Sequence, residues 1–344
     1  MSKVNVALIQ PGEEQAWDDY VRVASDATFF HLSGWKRVIE KAFGHRTFYL
    51  LARRDGAVTG VLPLTHVKSL LFGNSLISNA FCVYGGTVAS DAEAAGALEA
   101  EAVKIAMREK VDCIEFRSVN PARPDWLRKP NLYVTFRKAI YSDVDANMKA
   151  IPRKQRAMVR KAISNGLTSQ CDSGVERLHD IYAHSVRNLG TPVFSRRYFQ
   201  MLKDEFGDAC DIVTVLHGAK PVASVLNFYF RDEVLPYYGG GISEARELAA
   251  NDFLYWEVMR RACERGLKLF DFGRSKVGTG AYNFKRNWGF EPTPLTYEFR
   301  LIEAGRIPDV NPLNPKFQAF IALWRRLPVP LTKLLGPPIV RGIG

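Results

Sequence analysis

Apolar positions along the chain switch between a period near two and a period near 3.6, and the switches mark its elements. Residues 4–9 alternate as a short strand. Residues 29–43 carry helical spacing, with Ser33 placed to cap the start and Gly44 to end it. Residues 45–53 and 57–67 are β-rich runs joined at Asp55-Gly56, a hairpin signal. Residues 81–88, which hold Tyr84-Gly85-Gly86, predict a further strand. Residues 91–110 are rich in alanine and glutamate and predict a helix capped near Asp91, and residues 111–119 a strand.

The same order then recurs. Residues 194–206 predict a helix ended by Gly207, and residues 211–217 and 220–230 a hairpin about Gly218. Residues 233–240 predict a strand with Tyr238-Gly239-Gly240, residues 248–265 a long helix stopped by Gly266, and residues 267–272 a strand. Each half therefore reads helix, hairpin, strand, long helix, strand. That order predicts an α/β (α+β) fold of two tandem units, each a mixed, mostly antiparallel sheet flanked by helices. The expected boundaries are 1–130 and 131–307, followed by a proline-rich amphipathic tail over 308–344.

Between the repeats, residues 151–163 form an amphipathic pattern. On a helical wheel Arg153, Arg156 and Arg160 cluster with Lys154 and Lys161 beside them, while Met158, Val159, Ala162 and Ile163 fall opposite. This face suits phosphate oxygens, which the forked guanidinium binds in pairs. Its plainer reading is a solvated face on a helix packed by its apolar side. In the tail, Phe317, Phe320, Ile321 and Trp324 form one stripe, with Lys316, Arg325 and Arg326 at its ends. Leu331, Leu334 and Leu335 around Lys333 make a second apolar set. Such a stripe either lies on an anionic membrane or packs onto the protein's own sheet.

Charge narrows the partners. The 344 residues carry a net charge of +11, which favours anionic ones: nucleic acid, phosphorylated carriers or an anionic membrane surface. The five cysteines are dispersed and form no CxxC, so neither a disulfide framework nor a metal site is expected. No apolar run reaches the length of a bilayer span, and residues 1–17 contain no apolar signal core. A cytoplasmic protein is expected, held at most peripherally on the inner face of the membrane.

Chemistry concentrates in residues 267–292, LKLFDFGRSKVGTGAYNFKRNWGFEP. A strand end, a glycine loop and a helix start with cations beside them are what an anionic ligand needs. Tyr282 and Lys285 share one helix face, and Phe284 and Trp288 share an apolar one. No HxxxD, HExxH or GxSxG pattern occurs, which disfavours zinc and covalent serine chemistry.

Through the repeat, the basic helix and FDFGRS…FKRNWGFEP, the chain resembles the FemAB/FemX-like acyltransferases, tandem GNAT-fold proteins that add amino acids to cell-wall precursors. The tail WRRLPVPLTKLLGP and the terminal RGIG are similar to the subgroup found with exosortase/PEP-CTERM systems and exopolysaccharide loci. The resemblance implies an N-acyltransferase whose donor is an acyl-CoA or an aminoacyl-tRNA and whose acceptor is an amine, on a phosphorylated small molecule or a lipid-linked substrate. Residues 239–244 lack the Q/R-x-x-G-x-G/A loop of coenzyme A users, and no cofactor is assigned. In that reading Lys285 faces the developing oxyanion. Arg274, Arg153, Arg156, Arg160 and Lys161 hold anionic groups. Tyr238 and Tyr282 either donate hydroxyl hydrogen bonds or pack in the core. Asp271 accepts a proton, orients Arg274, or is a structural ion-paired carboxylate. The rival is a catalytically silent module that docks a phosphorylated carrier or nucleic acid through the basic helix.

Overall fold

The computed structural model describes residues 3–69, 72–119, 123–307 and 315–344. The chain separates into two compact units. Unit 1 comprises Met1–Asn131, Leu295–Asn311 and Arg341–Gly344, and unit 2 comprises Leu132–Pro294 and Pro312–Val340. Contiguous units over 1–130 and 131–307 were expected. Instead, a strand from late in the chain returns to the first unit.

Unit 1 runs β1 (Asn5–Leu8), α1 (Glu14–Val23), α2 (Gly34–Phe43), β2 (Arg46–Arg54), β3 (Ala57–Ser69), β4 (Gly73–Ile77), β5 (Val88–Ala89), α3 (Ala92–Arg108) and β6 (Cys113–Phe116). Unit 2 takes the second half of β7 (Leu127–Ala139), then α4 (Val144–Ala150), α5 (Arg153–Ser164), β8 (Leu167–Cys171), α6 (Glu176–Leu189) and α7 (Arg196–Phe206). It continues with β9 (Cys210–His217), β10 (Lys220–Phe230), β11 (Glu233–Gly241), α8 (Ala250–Glu264), β12 (Leu269–Asp271), β13 (Ser275–Lys276) and α9 (Gly280–Asn287). β14 (Pro292–Leu301) belongs to unit 1 from Leu295 onward, and the tail forms α10 (Pro315–Trp324) and α11 (Val329–Arg341).

The two sheets mirror each other. In unit 1 the order is β1-β2-β3-β4-β6-β14, with β4 and β6 parallel and the rest antiparallel. In unit 2 it is β7-β12-β11-β10-β9-β8, with β11 and β12 the one parallel pair among these strands. A parallel pair needs a crossover, and α3 and α8 supply it. Each sheet is therefore mixed, mostly antiparallel and flanked by helices, as the sequence implied. Phe48, Leu62, Leu76, Leu98, Ile114 and Phe116 build the core of unit 1. Phe136, Val159, Val225, Leu254, Phe270 and Trp288 build that of unit 2.

Asp91 caps α3 as expected, its carboxylate accepting from the Ala94 amide at 2.9 Å. Ser33 precedes α2 but makes no side-chain cap, and residues 29–31 form a separate 3₁₀ turn. The expected strand over 81–88 is not one. Phe81 and Gly86 have positive φ, and only Val88–Ala89 pairs, with β3. A Cβ on Gly85 would lie 2.2 Å from the Ser78 carbonyl oxygen, so that glycine permits close approach of a packed loop. The true counterpart of β11 is β4, because each follows a hairpin and lies parallel to the next strand. Tyr84-Gly85-Gly86 and Tyr238-Gly239-Gly240 are thus not equivalent positions.

Glu298 fixes β14 in unit 1. Its carboxylate is fully buried, 2.8 Å from Arg123 Nη1 and 3.3 Å from Arg128 Nη2, and it accepts the Arg123 amide at 2.8 Å. The tail is more integrated than a free anchor. Trp324 is buried, and its Nε1 donates to the Thr191 carbonyl of unit 2 at 3.1 Å. A Cβ on Gly190 would meet Ile321, so Ile321 and Trp324, two of the four residues of the expected stripe, turn inward. Phe320 stays exposed, and the side chains of Lys316 and Phe317 lie outside the described residues.

Candidate active site

β11 and β12 pair only at Glu233–Leu269 and Val234–Phe270. β11 then runs on to Gly241 against β10 alone, while β12 ends at Asp271 and pairs β7 on its far side. Beyond Val234 the ladder between the two parallel strands therefore ends, and the β12-side edge of β11 over residues 235–241 faces the turn that follows β12 without strand pairing among the described residues. An extended ligand can add to a strand edge presented this way.

The turn at 272–274 forms the second wall. Asp271 sits opposite Arg137 in the ladder, and its Oδ2 lies 3.3 Å from Arg137 Nε. Arg137 also pairs with Glu233, whose carboxyl burial pushes upward from its ordinary value. The other Asp271 oxygen accepts the Gly273 amide at 2.7 Å, where Gly273 turns the chain at φ +65°. The structure thus holds Asp271 as an ion-paired carboxylate that shapes the turn.

α9 lies behind this turn. Thr279 caps it by accepting the Tyr282 amide at 3.3 Å. One turn later Lys285 Nζ donates to the carbonyls of Phe272 at 2.6 Å, Gly273 at 3.1 Å and Arg274 at 3.2 Å. It also lies 5.6 Å and 5.8 Å from the ring centroids of Phe136 and Phe272. Burial drives the Lys285 ammonium down to about 7, against the pull of Asp271 and with the help of Arg274. A lysine poised near neutrality beside an open strand pair is what acid–base or oxyanion chemistry requires.

Around it, Tyr282 packs edge-on to Phe136 at 5.5 Å, and the Arg274 guanidinium covers the Tyr133 ring at 4.4 Å. Lys285, Asp271, Arg274 and Tyr282 are therefore brought together. Tyr238 is not joined to them. It is buried, its hydroxyl is 2.8 Å from that of Tyr198, and its ring contacts come from Tyr182, Phe194, Tyr198, Phe199 and Tyr237.

α5 keeps its expected helix but divides its residues differently. Gln155, Val159 and Ala162 are buried, Ile163 is exposed, and Arg156 donates to the Lys149 carbonyl at 2.9 Å. Arg153, Lys154, Arg160 and Lys161 are exposed and have no carboxylate within ion-pair reach among the described residues. The buried Gln155 ties this cationic helix to the site. Its amide donates to Asp252 Oδ1 at 3.1 Å, as does Trp288 Nε1 at 3.0 Å. Asp252 lies in the first turn of α8, where a carboxylate commonly serves the helix start. It is instead a buried bridge among α5, α8 and α9, a role that spacing within α8 does not reveal.

The structure matches known folds over most of its length. The chain has a TM-score of 0.69 to the crystal structure of FemX, at 16% identity, covering 87% of this chain and 98% of that one. Its TM-score is 0.57 to a tandem GNAT protein from the clavulanic acid biosynthesis pathway, at 13% identity, covering 87% and 98%. It is also 0.57 to the C-terminal domain of a putative lysylphosphatidylglycerol synthetase from Agrobacterium fabrum, at 14% identity, covering 90% and 94%. The fold is a tandem GNAT fold. Within it, residues 153–286 match the family described as Acetyltransferase (GNAT) domain, a stretch that runs from the start of α5 through Lys285. No curated protein sequence matches the chain. Among the described residues no group of histidine, cysteine and carboxylate side chains is placed to hold a metal, and no helix is long and apolar enough to cross a membrane.

Proposed function

We propose that unit 2 is an N-acyltransferase that moves an acyl or aminoacyl group from an activated donor to an amine. The observation that carries this reading is Lys285, near neutrality beside the opened β11–β12 pair, inside the stretch that matches an acetyltransferase domain. The donor's extended portion lies along β11. The amine nitrogen attacks the acyl carbonyl, a C–N bond forms, and negative charge gathers on the carbonyl oxygen. Lys285 meets that charge by re-aiming the N–H it gives to the Arg274 carbonyl, the longest of its three bonds. The bond to the leaving group then breaks as the tetrahedral centre collapses, and the proton that the amine nitrogen loses passes to the departing sulfur or oxygen. Asp271 and Arg137 keep the turn in place, and Tyr282 packs edge-on against Phe136 beside Lys285. Arg274 with the cations of α5 holds an anionic part of donor or acceptor.

The setting we infer is cell-envelope or exopolysaccharide synthesis in the cytoplasm, with a phosphorylated or lipid-linked acceptor. Similarity to FemX and to a protein named for making lysylphosphatidylglycerol supports it, as does the net charge of +11. Acyl-CoA and aminoacyl-tRNA are the donors to try. Incubation with each, and with amine acceptors, should give a new amide by mass spectrometry that Lys285→Ala reduces about 10²–10³-fold. Undiminished turnover by Lys285→Ala would refute the assignment. The exposed cations of α5 also favour a second reading, a silent anion-docking module. It predicts binding to generic nucleic acid that falls steeply with salt and produces no amide with any donor.

A further inference from the structure

Helix α11 is apolar on two sides. Val329, Thr332, Gly336 and Val340 are buried against the protein, at the spacing of one helix face. Leu331, Leu334 and Leu335 lie on the other side and are 39%, 72% and 42% exposed. In α10 Trp324 is buried and Phe320, one turn before it, stacks on its ring at 5.4 Å and stays 37% exposed at the rim, while Leu323 points outward at 62%. Fourteen large hydrophobic residues are exposed among the described residues, and five of them fall between 320 and 335. A single exposed leucine is ordinary, whereas a contiguous set marks a surface that binds something.

Charge says what. From residue 310 to the C-terminus the sequence holds no aspartate or glutamate, but it holds Lys316, Arg325, Arg326, Lys333 and Arg341. Arg325 and Arg326 sit at the corner between the two helices, where Arg325 Nη2 donates to the Leu189 carbonyl at 3.3 Å. Leu189, itself 65% exposed, extends the apolar patch onto the end of α6. Lys333 pairs with Asp180, and Arg326 has no carboxylate partner among the described residues. A second copy packed here about a two-fold axis would bring the same arginines face to face. An apolar ridge edged by arginines fits a bilayer surface bearing anionic headgroups, with leucine and phenylalanine at the acyl boundary and guanidinium groups among phosphates.

We propose that helices α10 and α11 dock the protein onto anionic lipid through Leu323, Leu331, Leu334 and Leu335, with Phe320 at the rim. The second apolar set that spacing suggested, Leu331, Leu334 and Leu335, stays on this face, whereas Ile321 and Trp324 of the first stripe are spent on internal packing and Leu323 takes their place. The docking face is independent of the chemistry in unit 2.

The test is cosedimentation of the full chain with vesicles of phosphatidylcholine alone and mixed with phosphatidylglycerol. The chain should pellet with the mixed vesicles and stay largely in solution with the neutral ones. Leu334→Glu should weaken binding at least about tenfold, and Arg325→Glu with Arg326→Glu about fivefold or more per charge, without a shift in melting temperature. Leu323→Ser serves as a milder variant should Leu334→Glu lose its fold. Three results overturn the proposal: equal pelleting on both vesicles, unaltered pelleting of a folded Leu334→Glu, or a lipid-indifferent dimer that Leu334→Glu dissociates.

Discussion

Trp288 Nε1 donates to Asp252 Oδ1 over 3.0 Å, and the Gln155 amide shares that oxygen. Three helices that come from distant parts of unit 2 thereby meet on one buried carboxylate. Because α9 carries Lys285, the height of that lysine over the 272–274 turn depends on Asp252. Asp252→Ala should cost about 1–3 kcal/mol for each donor left unsatisfied, read by urea unfolding. Burial raises the Asp252 carboxyl above its usual value, so the folded state favours its protonated form. That contribution is complete below the ordinary carboxylate value and is lost as pH rises through the raised one. Asp252→Asn should keep the acceptor and flatten this part of the pH–stability curve.

Lys285 gives the opposite slope. Its folded value is depressed to about 7 from 10.5. The unfolded chain therefore binds the extra proton between these values, and stability should climb with pH across that window. Lys285→Met should abolish the climb in chemical unfolding curves. If the ammonium form meets the oxyanion, kcat should fall as pH rises through about 7. A rate that increases through that range would assign the work to the neutral amine.

Arg153, Arg160 and Lys161 are exposed cations on α5, so replacing all three with alanine should alter stability little, within about 0.5 kcal/mol for each. Their effect belongs on binding. KM for an anionic substrate should rise while kcat holds, because these charges act alike on ground and transition states. A loss confined to kcat would place them at the reacting atoms.

The tail should separate cleanly into two faces. Trp324→Ala removes a buried indole and its bond to Thr191, and should cost about 3–5 kcal/mol in thermal or urea unfolding. Leu334→Ala, at 72% exposure, should be nearly silent in the same assay.

The repeat was legible because each half carries strong local signals: a hairpin at Asp55-Gly56 or Gly218, a long helix, and a following strand. The cluster at 271–285 was legible for the same reason, since Lys285, Tyr282 and Arg274 lie within a few turns of chain. What escaped depends on partners far away in sequence. Asp271 meets Arg137 across a ladder, and Gln155 meets Trp288 through Asp252. Spacing left Tyr238 open between a hydroxyl role and core packing, and helices α6 and α7 cover it with aromatic rings. The false match at Tyr84 arose because glycine serves a packed loop there and a strand at 239–240.

The placement of β14 in unit 1 sets an order on biosynthesis. β6 lies between β4 and β14, and Arg123 and Arg128 both close on Glu298. A ribosome has to make all of Leu132–Pro294 before that strand exists, which takes on the order of ten seconds at about 5–20 residues per second. Throughout that interval the nascent first unit has an open edge beside β6, with Arg128 lacking its Glu298 partner and Arg123 holding Glu99 alone. The first unit thus cannot close its sheet until most of the second has been made, and a chain halted before residue 295 leaves it unfinished.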